Sequence, residues 1–278
     1  MRMNPALIAG KLFALALFTA GAVDAAEIKV LASNALKTAL EELGPQFEKA
    51  SEHKLSFTFN AAVPLKAEIE KGMAFDVAIL SAPITDDLVK QGKLVAATRA
   101  DIARSGAGLA VKRGAPKPDI STTEAFKRAL LDAKSICYVE QGATGIYLKG
   151  LFERLGIAEQ LKGKTKLLPP SNPAAHAVAN GEAEIGMTQI SEILPYAGAE
   201  LVGPLPAEIQ LSSVYPAAVG TGAKEPDAAK ARAIQFGELR CWGSLSVWCS
   251  WPLLAGGFLR RRRRKPNRPI SPLPRPTA

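Results

Sequence analysis

Histidine and cysteine are scarce in this sequence of 278 residues, which contains two histidines and three cysteines. Transition-metal centres are usually built from clusters of these side chains, so we expect neither a metal site nor an organic cofactor. Two of the cysteines lie beyond residue 237, and Cys137 is alone in the main part of the chain, where an internal disulfide would need a partner. Its apolar surroundings, Ser-Ile-Cys-Tyr-Val at 135–139, favour a buried small side chain over a catalytic thiol.

Residues 26–236, the main part of the chain, also lack a net charge, although the whole sequence has a net charge of +9. Nine Lys and Arg residues and one acidic residue fall within 237–278, and residues 1–25 add one further net positive charge. Residues 26–236 are therefore neutral. Proteins that bind nucleic acid through its phosphates present a basic surface, so the sequence predicts no nucleic-acid partner.

The first 25 residues have the order of features of a secretory signal peptide. Arg2 and Lys11 supply positive charge, an apolar run covers 12–23, and small residues at 23–25 offer a cleavage point. The apolar run is too short for a comfortable membrane span. We expect export to the periplasm; a buried N-terminal helix is the alternative.

The last 42 residues, 237–278, differ in composition from the rest. They hold all three tryptophans and the five consecutive arginines at 260–264. One interpretation is a membrane anchor at 245–259, but this stretch is short and contains Pro252. We favour an atypical basic tail, frame-shifted or disordered, from which no function should be inferred.

Strand-like and helix-like segments alternate between residues 26 and 203, which indicates an α/β fold. The predicted strands cover 28–32, 55–59, 77–80, 109–112, 135–139, 166–168, 184–187 and 200–203. The predicted helices cover 36–48, 64–71, 86–91, 123–131, 145–155 and 174–180. A second set of strands and helices starts near residue 109, so the sequence predicts two similar lobes around a central cleft.

Four corners that lead from a predicted strand into a predicted helix are small and uncharged. They are Ser33-Asn34-Ala35, Asn60-Ala61-Ala62, Gly142-Ala143-Thr144-Gly145 and Ser171-Asn172-Pro173-Ala174. Ligands of open α/β sheets bind at the carboxyl ends of strands, where helix N-termini offer unpaired N–H groups and favour negative charge. The corners therefore predict an anion held by neutral donors; the alternative is that their polar residues only cap helices.

Several short motifs occur in an order that is typical of one family. They are IKV at 28–30, AEIEKG at 67–72, FDVAI at 75–79, GIYLK at 145–149, EIG at 184–186 and VYPAA at 214–218. On these motifs, residues 27–236 resemble the periplasmic solute-binding proteins of ABC importers, specifically the molybdate-binding type. The resemblance implies two α/β lobes that close on a tetrahedral oxyanion. It places lobe 1 at 26–106, lobe 2 at 107–204 and a return to lobe 1 at 205–236. The two-strand hinge would lie near 106–111 and 204–215.

The resemblance also implies a set of ligand-binding positions. The first-lobe serines of the family fall on Ala35 and Ala62, beside which Asn34 and Asn60 offer amides instead. A backbone donor falls on Thr144, and the tyrosine that closes the family's site falls on Gln189. The whole candidate set is Asn34, Ala35, Asn60, Ala61, Ala62, Ala143, Thr144, Ser171 and Gln189. Asn34 and Thr144 are expected to face each other across the cleft.

These features favour an extracytoplasmic solute-binding protein that captures a molybdate-like oxyanion or a small carboxylate. Its other partner would be the permease of an ABC transporter, and we expect a monomer without catalytic residues. The alternative is an isomerase on the same fold, because LVGPLPAE at 201–208 resembles the exported aconitate isomerases of this broad family. An isomerase needs a base near the substrate carbon, and the candidates are Glu140, Glu192 and His176.

Overall fold

The computed structural model describes residues 26–51 and 53–224. The predicted signal peptide at 1–25 and the predicted atypical tail at 237–278, with its alternative membrane anchor, lie outside the described residues. Within the described ranges, no helix combines the length and the apolar character needed to cross a membrane.

Strands and helices alternate through the described residues, and the α/β prediction is confirmed. The strands are β1 (Glu27–Ser33), β2 (Lys54–Asn60), β3 (Val77–Ile79), β4 (Ala100–Lys112), β5 (Ile136–Val139), β6 (Thr165–Leu168), β7 (Ile185–Gln189), β8 (Ala199–Pro204) and β9 (Ser212–Val219). The helices are α1 (Lys37–Ser51), α2 (Ala62–Glu70), α3 (Ala82–Lys90), α4 (Thr123–Asp132), α5 (Ala143–Arg154), α6 (Ala158–Lys162), α7 (Ala174–Ala179) and α8 (Ile190–Ile193). Short 3-10 helices cover Asn34–Leu36, Ala96–Thr98 and Ala207–Ile209.

In the described residues these strands form one nine-stranded mixed sheet in the order β2-β1-β3-β9-β4-β7-β5-β6, with β8 on β4. Strands β2 and β3 run parallel to β1, and strands β6 and β7 run parallel to β5. Strand β9 is antiparallel to both β3 and β4. The parallel strands direct their carboxyl ends, and the helices that follow them, towards the middle of the molecule.

Strand β4 runs through both lobes. Its first part, up to Gly106, pairs with β9, and from Ala107 onwards it pairs with β7. Strand β8 joins β4 from Gly108. The chain returns beside this crossing, where the N–H of Ala107 donates to the carbonyl of Leu211 at 2.9 Å. Two segments thus connect the lobes, as expected of a two-strand hinge.

Separate hydrophobic cores lie on the two sides of this crossing. In lobe 1, alternate residues of β1 point to opposite faces of the sheet: Ile28 and Val30 join one cluster and Leu31 joins another. In lobe 2, Phe126 and Leu148 pack from α4 and α5 onto the sheet. Burial on both faces explains why the parallel strands are continuous apolar runs.

The local signals at helix ends act as expected from the sequence. The hydroxyl of Thr122 accepts a hydrogen bond from the N–H of Ala125 at 3.1 Å and so caps α4. Gly156, which follows α5, has a φ of 68°, a conformation that side chains with a Cβ rarely adopt.

The sequence-based prediction differs from the structure at four elements. It missed β9 and the short helices α6 and α8, and it started β4 at Leu109 instead of Ala100. Strand β9 contains Pro216, which cannot donate to a ladder and therefore argues against a central strand. In the structure Pro216 stands opposite Asp101, where the register between β4 and β9 shifts.

Gly145 sets how closely α5 approaches β5. A Cβ on Gly145 would overlap the carbonyl oxygen of Val139 and lie 2.8 Å from that of Glu140, and backbone atoms cannot move aside easily. A Cβ on Gly150, in the same helix, would meet only the guanidinium of Arg154 at 3.6 Å.

We therefore expect Gly145→Ala to destabilise the protein by about 1–3 kcal/mol, because it overpacks a rigid contact. Gly150→Ala should instead stabilise it by about 0.5–1 kcal/mol, because Ala is the better helix former. Urea unfolding followed by circular dichroism measures both. Equal stability of the two variants would contradict the close approach of α5 to β5.

Candidate ligand-binding cleft

A small cavity of about 30 Å³ lies between the lobes, where the N-termini of α2 and α5 meet. Helix α2 follows β2 in lobe 1, and α5 follows β5 in lobe 2. All four of the small, uncharged corners seen in the sequence contribute to its wall. The lining residues are Ser33, Asn34, Ala35, Ala61, Ala62, Val139, Gly142, Ala143, Thr144, Pro170, Pro173, Met187, Thr188, Gln189, Glu192 and Tyr215.

Seven of the nine candidate ligand-binding residues line this inner cavity: Asn34, Ala35, Ala61, Ala62, Ala143, Thr144 and Gln189. Asn60 and Ser171 line a larger outer pocket of about 430 Å³ instead. The inner cavity and the outer pocket adjoin, because Asn34 and Pro170 belong to both. The structure therefore brings the nine residues together, seven around the inner cavity and two around the adjoining outer pocket.

The two helix N-termini provide the chemical character of the inner cavity. The first N–H groups of a helix have no acceptor within it, and the helix dipole places positive potential there. Ala62 begins α2, and Ala143 and Thr144 begin α5. Ala61 and Ala62 are buried small residues that leave this backbone accessible. The lining contains no Lys or Arg, so the donors facing the cavity are neutral.

The lobes touch at the rim of the cavity. The N–H of Val63, in the first turn of α2, donates to the carbonyl of Gln141 in lobe 2 at 3.5 Å. Nearby, the hydroxyls of Ser105 and Ser191 are 3.1 Å apart. The two lobes are therefore in direct contact through these polar groups.

Gln189 orients the hydroxyl of Thr144. Its side-chain amide nitrogen donates to Thr144 Oγ1 at 2.8 Å and to Ser213 Oγ at 3.2 Å. An amide nitrogen has two protons, and both are used by these bonds. Thr144 Oγ1 thus acts as an acceptor towards Gln189, and its own proton is available to a ligand. Gln189 therefore lines the cavity wall and also positions the hydroxyl of Thr144 as a hydrogen-bond donor.

Ser33, and not Asn34, caps the 3-10 helix that follows β1. Its Oγ accepts a hydrogen bond from the N–H of Ala35 at 3.4 Å. The amide of Asn34 makes no side-chain hydrogen bond within the described residues, and Asn34 lines both the inner cavity and the outer pocket. The helix-capping alternative therefore applies to Ser33, which leaves the Asn34 amide free for another role.

Tyr215 was not among the candidate site residues, although it lies in the family motif at 214–218. It is completely buried, it comes from β9, and its ring packs into the lobe 1 core. Its hydroxyl lines the cavity near Ser33 and Ser213 but has no hydrogen-bond partner of normal geometry within the described residues. Burial, and then the charge of Glu192, raise the pKa of Tyr215, so its hydroxyl keeps its proton.

Glu192 is the one acidic residue in the lining of the cavity. It lies on α8, directly after β7, and its Oε2 accepts hydrogen bonds from the hydroxyl of Thr188 and from the N–H of Gln189, the latter at 3.3 Å. No described Lys, Arg or His forms a salt bridge with it. Burial raises the pKa of Glu192, and its two hydrogen bonds partly oppose that shift.

The other chemically reactive side chains lie away from the cavity. Cys137 is buried against Ala174, and burial raises the pKa of its thiol to about 12, so the prediction of an inert small side chain is confirmed. His176 is exposed and contacts Asn172 and Asn180. Within the described residues, no group of three or more His, Cys, Asp or Glu side chains is arranged to hold a metal ion.

Comparison with known families agrees with the fold. A family model described as "Bacterial extracellular solute-binding protein" matches residues 28–231. An aconitate isomerase from a Pseudomonas species is 31% identical over 236 residues, which cover 82% of this chain and 88% of the relative. The molybdate-binding protein ModA of Azotobacter vinelandii is 26% identical over 184 residues, covering 66% of this chain and 71% of the relative.

Solved structures show the same architecture. The periplasmic molybdate-binding protein of Azotobacter vinelandii superposes with a TM-score of 0.61 at 20% identity, covering 76% of this chain and 91% of that one. The sulfate-binding protein SubI of Mycobacterium tuberculosis gives a TM-score of 0.64 at 16% identity, over 77% and 83% of the two chains. The predicted two-lobed periplasmic binding fold and its molybdate-binding-type resemblance are confirmed.

The free amide of Asn34 gives a test of the cavity as an anion site. Asn34→Asp adds a negative charge with little change of shape. If an anion sits about 4 Å away, an effective dielectric constant near 20 gives a repulsion of about 4 kcal/mol, roughly a thousandfold in affinity. The empty protein should keep its melting temperature within a degree or two, because Ser33 remains the cap.

Differential scanning fluorimetry with and without added anion measures both quantities. Asn180→Asp, an exposed-face substitution outside the cleft, is the matched control. An Asn34→Asp variant that binds anions as tightly as the parent would show that Asn34 does not face the ligand.

Proposed function

Because the chain belongs to the bacterial extracellular solute-binding protein family, we propose that it captures a small anion in the cleft and presents it to an ABC importer. The family implies an extracytoplasmic location. Closure would bring lobe 2, residues 107–204, onto lobe 1, residues 26–106 and 205–236. The ligand would then be held from both lobes, and the closed form would dock on the transporter permease.

One observation carries this proposal: the buried hydroxyl of Tyr215 lines the cavity and makes no hydrogen bond of normal geometry within the described residues, although Ser33 and Ser213 lie near it. A buried polar group without a partner costs about 1–3 kcal/mol. A ligand acceptor in the cavity would satisfy it. The same acceptor would meet the N-termini of α2 and α5, so these donors together favour an anionic group.

The shape of the cleft favours a small carboxylate over a molybdate-like oxyanion. The inner cavity, about 30 Å³, accommodates a single small anionic group, and Ala35 and Ala62 add no hydroxyl donors to it. The outer pocket of about 430 Å³ offers Asn60 and Ser171 to a further polar group. A ligand with two or more carboxylates can place one group in the inner cavity and another in the outer pocket.

A second candidate function is isomerisation of such a carboxylate in the same cleft. Two observations favour it: the Pseudomonas relative, 31% identical over most of both chains, is an aconitate isomerase, and a half-buried carboxyl group, Glu192, lines the cavity. Glu192 is also the capping-box residue of α8, where its carboxyl group accepts from the N–H of Gln189. In this case the lobes would close to exclude water during catalysis.

A thermal-shift panel tests the binding proposal. The purified protein would be scanned with molybdate, sulfate, citrate and trans-aconitate. A ligand that binds the native state adds about 2.7 kcal/mol of stability at a hundredfold excess over its dissociation constant. We expect di- and tricarboxylates to raise the melting temperature more than molybdate or sulfate. If no anion of the panel raises it, the anion-binding proposal is wrong.

Tyr215→Phe tests the observation that carries the proposal. Removing an unpartnered buried hydroxyl should leave the stability of the empty protein unchanged or slightly higher, and weaken binding of the stabilising anion about tenfold, the equivalent of one hydrogen bond. Tyr138→Phe, a buried tyrosine outside the cleft, is the control and should not change affinity. Loss of stability without loss of affinity would contradict the role of this hydroxyl.

A further inference from the structure

Glu192 places an ionisable carboxyl group in a cavity whose other polar groups favour an anion. Of the three acid–base candidates in the sequence, Glu140 is exposed in a separate surface pocket and His176 is exposed, and Glu192 alone lines the inner cavity. The N-termini of α2 and α5 meet at the same cavity, which measures about 30 Å³. A bound anion and an ionised Glu192 would therefore share this small space, and like charges at short range repel.

The carboxyl group of Glu192 is fixed through one of its two oxygens. Oε2 accepts hydrogen bonds from the hydroxyl of Thr188 and from the N–H of Gln189, the latter at 3.3 Å. Oε1 accepts no hydrogen bond from any described residue. A protonated carboxyl group carries one O–H donor. Because Oε2 is already used as an acceptor, the proton would be held on Oε1, and Glu192 would then add a further donor to the cavity.

A role in helix capping accounts for only part of this arrangement. Glu192 is the capping-box residue of α8, which explains its bond with the N–H of Gln189. Capping requires one carboxyl oxygen, Oε2. It leaves unexplained why the group lies in the cavity wall and why Oε1 has no partner among the described residues.

No described cation compensates the charge of Glu192. In the part of the chain that the structure describes, no Lys, Arg or His forms a salt bridge with this half-buried group. Burial raises the pKa of Glu192, and its hydrogen bonds with Thr188 and Gln189 partly oppose that shift. The neutral form of Glu192 is therefore accessible at pH values at which an exposed glutamate is ionised.

The other ionisable groups around Glu192 do not take the place of a counter-ion. Burial, and then the charge of Glu192, raise the pKa of Tyr196 and of Tyr215, so both hydroxyls stay neutral. Lys37 on α1 acts on Tyr196 in the opposite direction, and the ring centroid of His176 on α7 lies 6.2 Å from that of Tyr196. The charged side chains of β4 and β8, which also pack against α8, are exposed or paired with other residues.

We propose that Glu192 links anion binding in the cleft to the uptake of a proton. Where Glu192 is ionised in the empty protein, the arriving anion binds together with one proton from solvent, which is held on Oε1 and donated to an acceptor of the ligand. The inference rests on the proposed binding function, because an anion must first occupy the inner cavity. It concerns the binding equilibrium alone and involves no reaction of the ligand.

The direction of the pH dependence follows from this linkage. A bound anion disfavours the ionised carboxylate and so raises the pKa of Glu192 above its value in the empty protein. Below the pKa of the empty protein, Glu192 is protonated in both forms and the affinity is highest. Between that pKa and the higher pKa of the complex, the affinity falls about tenfold per pH unit, because each binding event takes up one proton. Above the pKa of the complex, the affinity is low and constant.

Isothermal titration calorimetry of the purified protein with citrate tests the linkage. Citrate has no carbon–carbon double bond to shift, so its binding is a simple equilibrium; if citrate does not bind, the same titrations use the anion of the thermal-shift panel that does. A series of pH values gives the affinity. Two buffers of different ionisation enthalpy at one pH give the number of protons taken up. The ligand also titrates, and comparison with Glu192→Gln removes that contribution.

Glu192→Gln imitates the protonated carboxyl group, because its amide nitrogen supplies a permanent donor. We expect this variant and the wild type to bind the probe equally at the lowest pH of the series. At the highest pH the variant should bind at least tenfold more tightly, and the wild type should take up about one proton more per ligand. Glu140→Gln, the same substitution at an exposed position outside the cleft, should behave as the wild type.

Thr188→Val tests the same group without changing it. The hydroxyl of Thr188 donates to Glu192 and favours its ionised form. Without this donor the pKa of Glu192 should rise, so the pH range over which the affinity falls should move to higher pH. A purely structural role of Thr188 would change stability and leave this range in place.

The outcomes separate the linkage from the binding function. Equal pH dependence and equal proton uptake in the wild type and Glu192→Gln would overturn the linkage and leave anion binding intact. Failure of every anion of the panel to bind overturns the binding function, and the linkage with it. If Glu192→Gln does not fold, Thr188→Val decides, because an unchanged pH range contradicts Glu192 as the titrating group.

Discussion

Buried hydrogen-bond donors without acceptors are the constraint on which the cleft depends. The N-termini of α2 and α5 bring the backbone of Ala62, Ala143 and Thr144 to one cavity, and the fully buried hydroxyl of Tyr215 joins them. Leaving such groups unpaired costs free energy in the empty protein, and a ligand that supplies acceptors recovers it. The rest of the architecture serves this arrangement: β4 spans both lobes, and the missing Cβ of Gly145 lets α5 start close to β5.

The local architecture could be predicted from the sequence because it follows from local signals. The parallel strands are buried on both faces and therefore form apolar runs in the sequence, as in 77–80, and a glycine marks the end of several helices, as at Gly156. Strand β9 was missed because Pro216 contradicts the usual strand composition, although the register shift beside Asp101 tolerates it.

The corner residues of the site could likewise be predicted from the sequence, because small residues between a strand and a helix have a recognisable spacing. Tyr215 was not predicted, and Glu192 was only one of three candidate bases that the sequence did not separate. Tyr215 enters the site because β9 inserts between β3 and β4, a long-range pairing that no local pattern encodes. Glu192 follows β7 on a single turn of helix, and only the fold shows that this turn, unlike Glu140, faces the cavity. Gln189 was placed in the site, but its role as the partner of Thr144 depends on side-chain geometry.

The combination of neutral donors and one carboxyl group explains how a single cleft fits both a transport protein and an isomerase. Donors at two helix N-termini hold an anion in either case. A carboxylate beside that anion weakens binding when it is charged, so its presence has a cost for a pure binding protein and a use for an enzyme that moves a proton. Under the isomerase proposal, Glu192 is the residue that would distinguish the two functions.

The most direct test of the central claim is a titration of the ¹⁵N-labelled protein with trans-aconitate, followed through its backbone amide resonances. The account predicts that the amides of Ala62 in lobe 1 and of Ala143 and Thr144 in lobe 2 shift together, with one common dissociation constant, because one anion meets both helix N-termini. Shifts confined to one lobe, or absent from both helix N-termini while the ligand binds elsewhere, would contradict it.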